Sequence, residues 1–254
     1  MFNLVDLTGK RIIVTGASQG IGQGTAILLS KLGAELILIA RNEEKLKYTM
    51  SCLEGNTHSY YLLDISEIDK IENLVKIIVK EKGKLDGLVY CAGVAVNRPL
   101  NLFKPDSVAN IIDINLLGFI EFVRSVTKKS NCNPGGRIVG ISSAAAFNGN
   151  KGQIAYAASK AGMDGAVRCM ACELADKNIC INTVAPAMIK TEMYERYLQK
   201  VGEDGEQHAR LLQKQYLGIG LVDDVAAAIA FLMSPAARFI TGICLPVDGG
   251  STSH

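Results

Sequence analysis

The sequence predicts a doubly wound α/β domain, a seven-stranded parallel sheet covered by helices on both faces. Three observations carry this expectation. Short aliphatic runs recur seven times and alternate with longer segments of helical period, the pattern of a parallel sheet. A glycine-rich turn separates the first run from the first helical segment. With 254 residues, 48% of them hydrophobic, the chain can also bury the core such a sheet needs.

The strands are expected at 11–16, 35–40, 59–63, 85–91, 136–142, 179–184 and 242–247. The first two are the clearest: Ile12-Ile13-Val14, then Leu36-Ile37-Leu38-Ile39. Helices are expected near 21–32, 43–53, 67–82, 105–128, 153–176 and 223–233. The last of these opens on Asp223 and Asp224, acids at the positive end of the helix dipole, before an apolar-periodic stretch. No linker, repeat or low-complexity tract interrupts the chain, so residues 1–254 are expected to form one domain. The stretch 187–220 departs from the alternation: it is rich in Met, Tyr, Gln and charge, and follows a strand's carboxyl end, where a lid over a site would lie. Its apolar Met188, Ile189, Met193, Tyr194, Tyr197 and Leu198 suit either packing or an elongated apolar substrate.

Charge and cysteine usage exclude several classes. The 27 basic and 25 acidic residues leave a net charge of +2, without the one-sided field that nucleic acid or an anionic membrane would demand. Small molecules are the expected partners. Seven Cys without regular spacing argue against a disulfide framework. Cys169 and Cys172 form a C-x-x-C, but they lie in an alanine-rich helical stretch with no second pair, and the three His are far apart in sequence. Buried, reduced thiols and no metal site are expected. The start, Met1 to Asp6, lacks a basic and apolar leader, and no run of eighteen apolar residues occurs, so the expected location is the cytoplasm.

The turn Thr15-Gly16-Ala17-Ser18-Gln19-Gly20-Ile21-Gly22 lets backbone approach a pyrophosphate at a helix N-terminus. A tight strand-to-helix turn alone would look similar, but its place in the first βα unit favours a dinucleotide. After the second strand, Arg41 stands near where NAD-selective proteins put an acid against the ribose 2′-hydroxyl. A guanidinium can take a 2′-phosphate bidentately, so NADP(H) is favoured over NAD(H), the alternative being a solvated Arg at a strand end. Gln19 holds a position where similar loops often carry a second basic residue.

Tyr156-Ala-Ala-Ser-Lys160 places a phenol and an ammonium on one helix face, one turn apart. A cation about 4 Å from the phenol, at an effective dielectric of roughly 20, contributes about 4 kcal/mol, or at most about three pKa units. That would bring a phenol near neutrality, as a general acid/base requires. Ser143 lies thirteen residues earlier, at the expected carboxyl end of the fifth strand.

Together these residues resemble the short-chain dehydrogenase/reductase family, and the resemblance runs over nearly the whole chain. It is carried by the glycine turn, Asp64, Cys91-Ala92-Gly93, Asn115 in Asp-Ile-Asn-Leu-Leu-Gly, Ser142-Ser143 and Tyr156-x-x-x-Lys160. It continues through Asn182-Thr-Val-Ala-Pro186 with Thr191, and Thr241-Gly242 with Val247-Asp248-Gly249-Gly250. The resemblance implies a Rossmann-type fold and ketone–alcohol interconversion by hydride transfer. In it Tyr156 would be the acid/base, Ser143 would polarise the carbonyl, and Lys160 would grip the nicotinamide ribose and lower the tyrosine pKa. Asn115 would position a relay water, Asp64 would meet the adenine and Thr191 the carboxamide. The nucleotide would lie against Gly16, Ser18, Gln19, Gly20, Ile21, Gly22, Arg41, Asp64, Ile65, Cys91, Ala92, Gly93, Tyr156, Lys160, Pro186, Ile189 and Thr191.

The resemblance is nearest to 3-oxoacyl-(acyl-carrier-protein) reductases, which need basic residues for an acidic carrier. Lys128, Lys129, Arg137 and Lys177 are candidates for that patch. A reductase of free ketones, sugars or sterol-like alcohols is the alternative, and a non-catalytic nucleotide-binding scaffold a remote one. A homotetramer or homodimer is implied, through the helices near 105–128 and 153–176. Cys91 replaces the Asn usual in the family, as a packing variation or a redox switch.

Overall fold

A computed structural model describes residues 5–253; the chain start at 1–4 and His254 lie outside them. Seven strands form one parallel sheet: β1 (Arg11–Thr15), β2 (Glu35–Ala40), β3 (Ser59–Leu62), β4 (Leu85–Tyr90), β5 (Cys132–Ile141), β6 (Cys180–Pro186) and β7 (Cys244–Val247). The spatial order is β3-β2-β1-β4-β5-β6-β7. The chain therefore winds outward from β1 in one direction, returns, and winds outward from β4 in the other. The crevice outside the carboxyl ends of β1 and β4 is the topological switch point.

Strand periodicity divides the core in two. Ile13, Ile37 and Ile39 face a layer made by α3 (Ile68–Lys82), α5 (Gly118–Val126) and α6 (Ile154–Leu174). Ile12, Val14, Leu36 and Leu38 face α1 (Gly20–Lys31), α2 (Glu43–Ser51) and α9 (Val222–Met233). Both sets are buried, which is why these strands read as continuous apolar runs. At the start of α9 the Asp224 carboxylate accepts the Leu221 N–H at 2.7 Å, the acidic N-terminus the sequence suggests.

Three expectations need correction. The fifth strand begins at Cys132 rather than 136, and its pairing with β4 is irregular between Leu85 and Gly87. Pro134, Gly135 and Gly136 interrupt the apolar pattern there, so periodicity alone finds only the second half. The helix expected over 105–128 is broken into α4 (Pro105–Ile112), one π-helical turn (Asp113–Leu117) and α5, which ends at Val126. Tertiary bonds hold the wide turn: Tyr90 Oη donates to the Ile114 carbonyl at 2.5 Å, and Asn115 is tied to Val94. Cys169 and Cys172 are exposed rather than buried, because α6 buries the face bearing Lys160, Met163, Asp164, Val167, Ala171 and Leu174.

The stretch 187–220 holds two short helices, α7 (Glu192–Val201) and α8 (Glu206–Lys214). Its two ends meet. Lys190 N–H donates to Gly220 O at 2.8 Å, and the Gln215 amide bonds to both Met188 backbone groups and to Gly218 O. Inside the segment, His208 Nδ1 donates to Glu203 O at 2.6 Å, so its Nε2 accepts the Tyr194 hydroxyl at 3.0 Å.

Candidate active site

The switch-point crevice is a cleft of about 400 Å³. The glycine turn, the ends of β2 to β6 and the first part of the 187–220 segment wall it. Every expected nucleotide contact lines it: Gly16, Ser18, Gln19, Gly20, Ile21, Gly22, Arg41, Asp64, Ile65, Cys91, Ala92, Gly93, Tyr156, Lys160, Pro186, Ile189 and Thr191. Ser143 lines it as well, whereas Asn115 lies behind the wall and its neighbour Ile114 reaches the cleft.

The glycine spacing has a steric cause. A Cβ on Gly16, where φ is +65°, would stand 2.8 Å from Ala92 N, and one on Gly22 would stand 2.3 Å from Gly16 O. β1, β4 and α1 can converge this closely only without those side chains. The α1 N-terminus that results has no side-chain cap at Gln19 and no acid in its first turn. Its free N–H groups and positive dipole end suit a pyrophosphate, so the residues present fit a dinucleotide. Thr191 and the Glu192 carboxylate lie within 4 Å of where a Gly20 side chain would begin, so the 187–220 segment overhangs the turn.

At the other end of the cleft, Ser143 follows β5 and Tyr156 and Lys160 lie in the first two turns of α6. Lys160 is buried; its ammonium donates to the Ile141 carbonyl at 2.5 Å and lies 5.8 Å from the centre of the Tyr156 ring. Burial pulls its pKa down to about 8, although Cys91 and Asp164 favour the charged form. The Tyr156 phenol is pushed up from its ordinary value by burial, and the hydrogen bond with Ser143 pulls the other way. The expected depression by Lys160 is thus absent: the ammonium is drawn to Ile141 and sits over the ring face.

Asn115 is fixed in place by its own hydrogen bonds. Its Oδ1 accepts the Val94 N–H at 2.8 Å, and its amide donates to Val94 O at 2.9 Å and Ser159 Oγ at 3.0 Å. Both amide protons are used, so the side chain holds the loop after β4, the π turn and α6 together. Cys91 packs beside Gly22 at the cleft wall, and its surroundings push its thiol up to about 12, toward the neutral form. Thr15 Oγ1 accepts the Ala92 N–H at 3.2 Å and steadies the adjoining strand end.

The lysine patch is not at the mouth of this cleft. Lys128 and Lys129 precede β5 and Lys177 precedes β6, and Arg137 pairs in register with Gly87 and Cys180 near the strand starts, so all four belong to the amino-terminal side of the sheet, opposite the cleft. Lys128 is ion-paired with Glu72, Lys177 donates to Thr127 O, and Arg137 donates to the carbonyls of Gly135 and Gly136. Sequence reasoning also passed over Asn42 and Lys45, which line the cleft from the start of α2. The signal for Lys45 is a cation in a helix's first turn, against the dipole.

A doubly wound sheet with a glycine turn at its switch point and a Ser–Tyr–Lys set beside it defines a dinucleotide-binding oxidoreductase. Comparison with known proteins agrees. The family profile described as Enoyl-(Acyl carrier protein) reductase matches residues 16–252. The 3-oxoacyl-(acyl-carrier-protein) reductase of Rickettsia felis is 40% identical over 248 residues, covering 97% of this chain and 98% of that protein. That of Vibrio cholerae is 35% identical over 246 residues, with the same coverage. A putative short-chain alcohol dehydrogenase from Sinorhizobium meliloti has a TM-score of 0.89 at 31% identity, covering 99% of both chains. The chain belongs to the short-chain dehydrogenase/reductase family, and is an NAD(P)-dependent oxidoreductase acting on CH–OH groups. No helix among the described residues is long and apolar enough to cross a membrane.

Proposed function

We propose that this protein reduces 3-oxoacyl thioesters carried on acyl carrier protein, using NADPH. The observation that carries the chemistry is the pairing of Ser143 with Tyr156 over a buried Lys160 at the lip of a nucleotide-shaped cleft. Bound nicotinamide supplies the hydride. Tyr156 gives its proton to the oxygen that becomes an alkoxide, and Ser143 donates a second hydrogen bond to the same oxygen. Ser143 is held for this by accepting the Ala145 N–H at 3.1 Å. A neutral phenol is the donating form that reduction needs, and the phenolate it leaves is the base for the reverse step. Lys160 has two ammonium protons beyond the one given to Ile141, placed for ribose hydroxyls. Any relay water at Asn115 would meet its backbone carbonyl, since the amide is engaged.

Two donors converging on one oxygen suit a ketone, and the named relatives at 35–40% identity are 3-oxoacyl reductases. Arg41 at the cleft supports NADP(H) over NAD(H). Basic side chains beside the start of α6, namely Arg98, Lys104 and Lys151, are exposed and suit an acidic carrier better than the distant lysine patch. Free ketones are the second reading, favoured by the apolar Met188, Ile189 and Met193 at the cleft. A single domain would carry both nucleotide and substrate, assembled as a homotetramer or homodimer in the cytoplasm. The test is NADPH oxidation with acetoacetyl carrier protein, the pantetheine thioester and a panel of free ketones, with NADH in parallel. Higher kcat/KM with carrier and NADPH is expected, and Tyr156→Phe should lower kcat by about 10³-fold or more. No advantage for the carrier would remove the carrier reading, and full activity in Tyr156→Phe would remove the chemistry.

A further inference from the structure

The adenosine-ribose end of the cleft holds a cation that the cofactor reading above does not use. Lys45 lies in the first turn of α2, where Asn42 caps the helix by accepting the Lys45 N–H at 2.8 Å. Its Nζ donates to Gln19 Oε1 at 2.6 Å, and both side chains line the cleft. The bond fixes which way the Gln19 amide faces: its oxygen takes the ammonium proton, which leaves Nε2–H₂ as a donor.

Two further observations single out this lysine. Arg41 is not an uncompensated charge, because its guanidinium is paired with Asp64 Oδ2 at 3.3 Å. Although burial works against it, Asp64 is kept ionised by the Ser66 N–H and hydroxyl and by Arg41 itself. Arg41 and Asp64 together are neutral, so the positive charge left at this end of the cleft is that of Lys45. Glu43, its nearest acid in sequence after Glu44, is engaged with Lys47 and Tyr60, and among the described residues no ion pair to Lys45 is formed. Lys45 also stands at the positive end of a helix dipole, where a cation is unfavourable and acids are the rule. Glu43 and Glu44 already complement the dipole in the same turn, so what singles out Lys45 is its position on the cleft wall and its bond to Gln19.

We propose that Lys45, tethered by Gln19, is the second cation of the 2′-phosphate site. It supplies from α2 the charge that the glycine turn lacks at position 19, and so it strengthens, beside Arg41, the preference for NADP(H). This rests on the NADP(H) reading given above. An ammonium within hydrogen-bond reach of a dianionic phosphate is a charge-assisted contact, reduced here by the exposure of the side chain.

Calorimetric titration of the full-length protein with 2′,5′-ADP and with 5′-AMP tests it without turnover. The wild type should prefer 2′,5′-ADP. Lys45→Met should weaken 2′,5′-ADP by about tenfold and 5′-AMP by no more than about twofold. Gln19→Arg introduced into Lys45→Met should restore the preference by placing the cation on the turn instead. A Lys45→Met protein that keeps the wild-type preference, or loses both ligands equally, overturns the role of Lys45 while leaving the NADP(H) reading in place. A wild type that binds both ligands alike overturns both. Lys45 is exposed, so an unchanged melting temperature of the free variant is expected and separates ligand binding from folding.

Discussion

Tyr156 and Lys160 are one helical turn apart, yet different neighbours set their protonation. Burial raises the phenol and lowers the ammonium, each toward its neutral form. Above about pH 8 Lys160 begins to lose its proton, so the kcat/KM for reduction should fall as pH rises through that value, as a pH–rate profile would show. The same shift has a consequence for stability. A lysine with a folded pKa below its unfolded one takes up fewer protons when folded, so stability rises as pH increases from about 8 toward the unfolded value near 10.5. Lys160→Met removes that dependence. Its melting temperature, relative to wild type, should be most favourable at pH 7 and lose ground as pH approaches 10. A constant difference across that range would show that Lys160 is not desolvated.

Elements meet at the cleft through contacts that single side chains decide. Gly22 of α1 and Gly16 after β1 are in van der Waals contact, and Asn115 joins the π turn to α6 and to the loop that follows β4. Gly22→Ala would press a methyl group onto the Gly16 carbonyl. A loss of roughly 1–3 kcal/mol in denaturant unfolding is expected, with a larger proportional loss of nucleotide binding. Undisturbed nucleotide affinity would contradict the close α1–β1 approach. The glycine spacing made this turn legible in sequence. The π turn was not, because Asp113–Leu117 keeps helical hydrophobic period and its bonding partners, Tyr90 at the end of β4 and Val94 in the loop after it, are remote in the chain.

Across the whole molecule, the outward face of α6 is the surface through which the proposed assembly would form. Ala161, Cys169 and Cys172 are exposed on it, and Leu117 is exposed in the π turn. In the proposed oligomer these surfaces are covered. Cys169 and Cys172 should then react slowly with a thiol reagent in the assembled protein, and Ala161→Arg should both lower the mass in sedimentation and speed their labelling. Fast labelling of both thiols in an assembled wild type would place the interface elsewhere. Cys132, buried and with its thiol raised by that burial, should label only on unfolding.

The sequence by itself determined the doubly wound order of elements and the positions that converge on one cleft. Apolar runs, a glycine turn and an i, i+4 pair are short-range patterns, each with one steric or periodic cause. Only the tertiary structure decided how the charges are shared. Lys160 bonds to Ile141 rather than to its tyrosine, Arg41 to Asp64, Lys45 to Gln19, and the lysines before β5 lie at the opposite edge of the sheet from the cleft. Such partners come from elements far apart in the chain. A charge's effect depends on distance and burial, which no local pattern encodes.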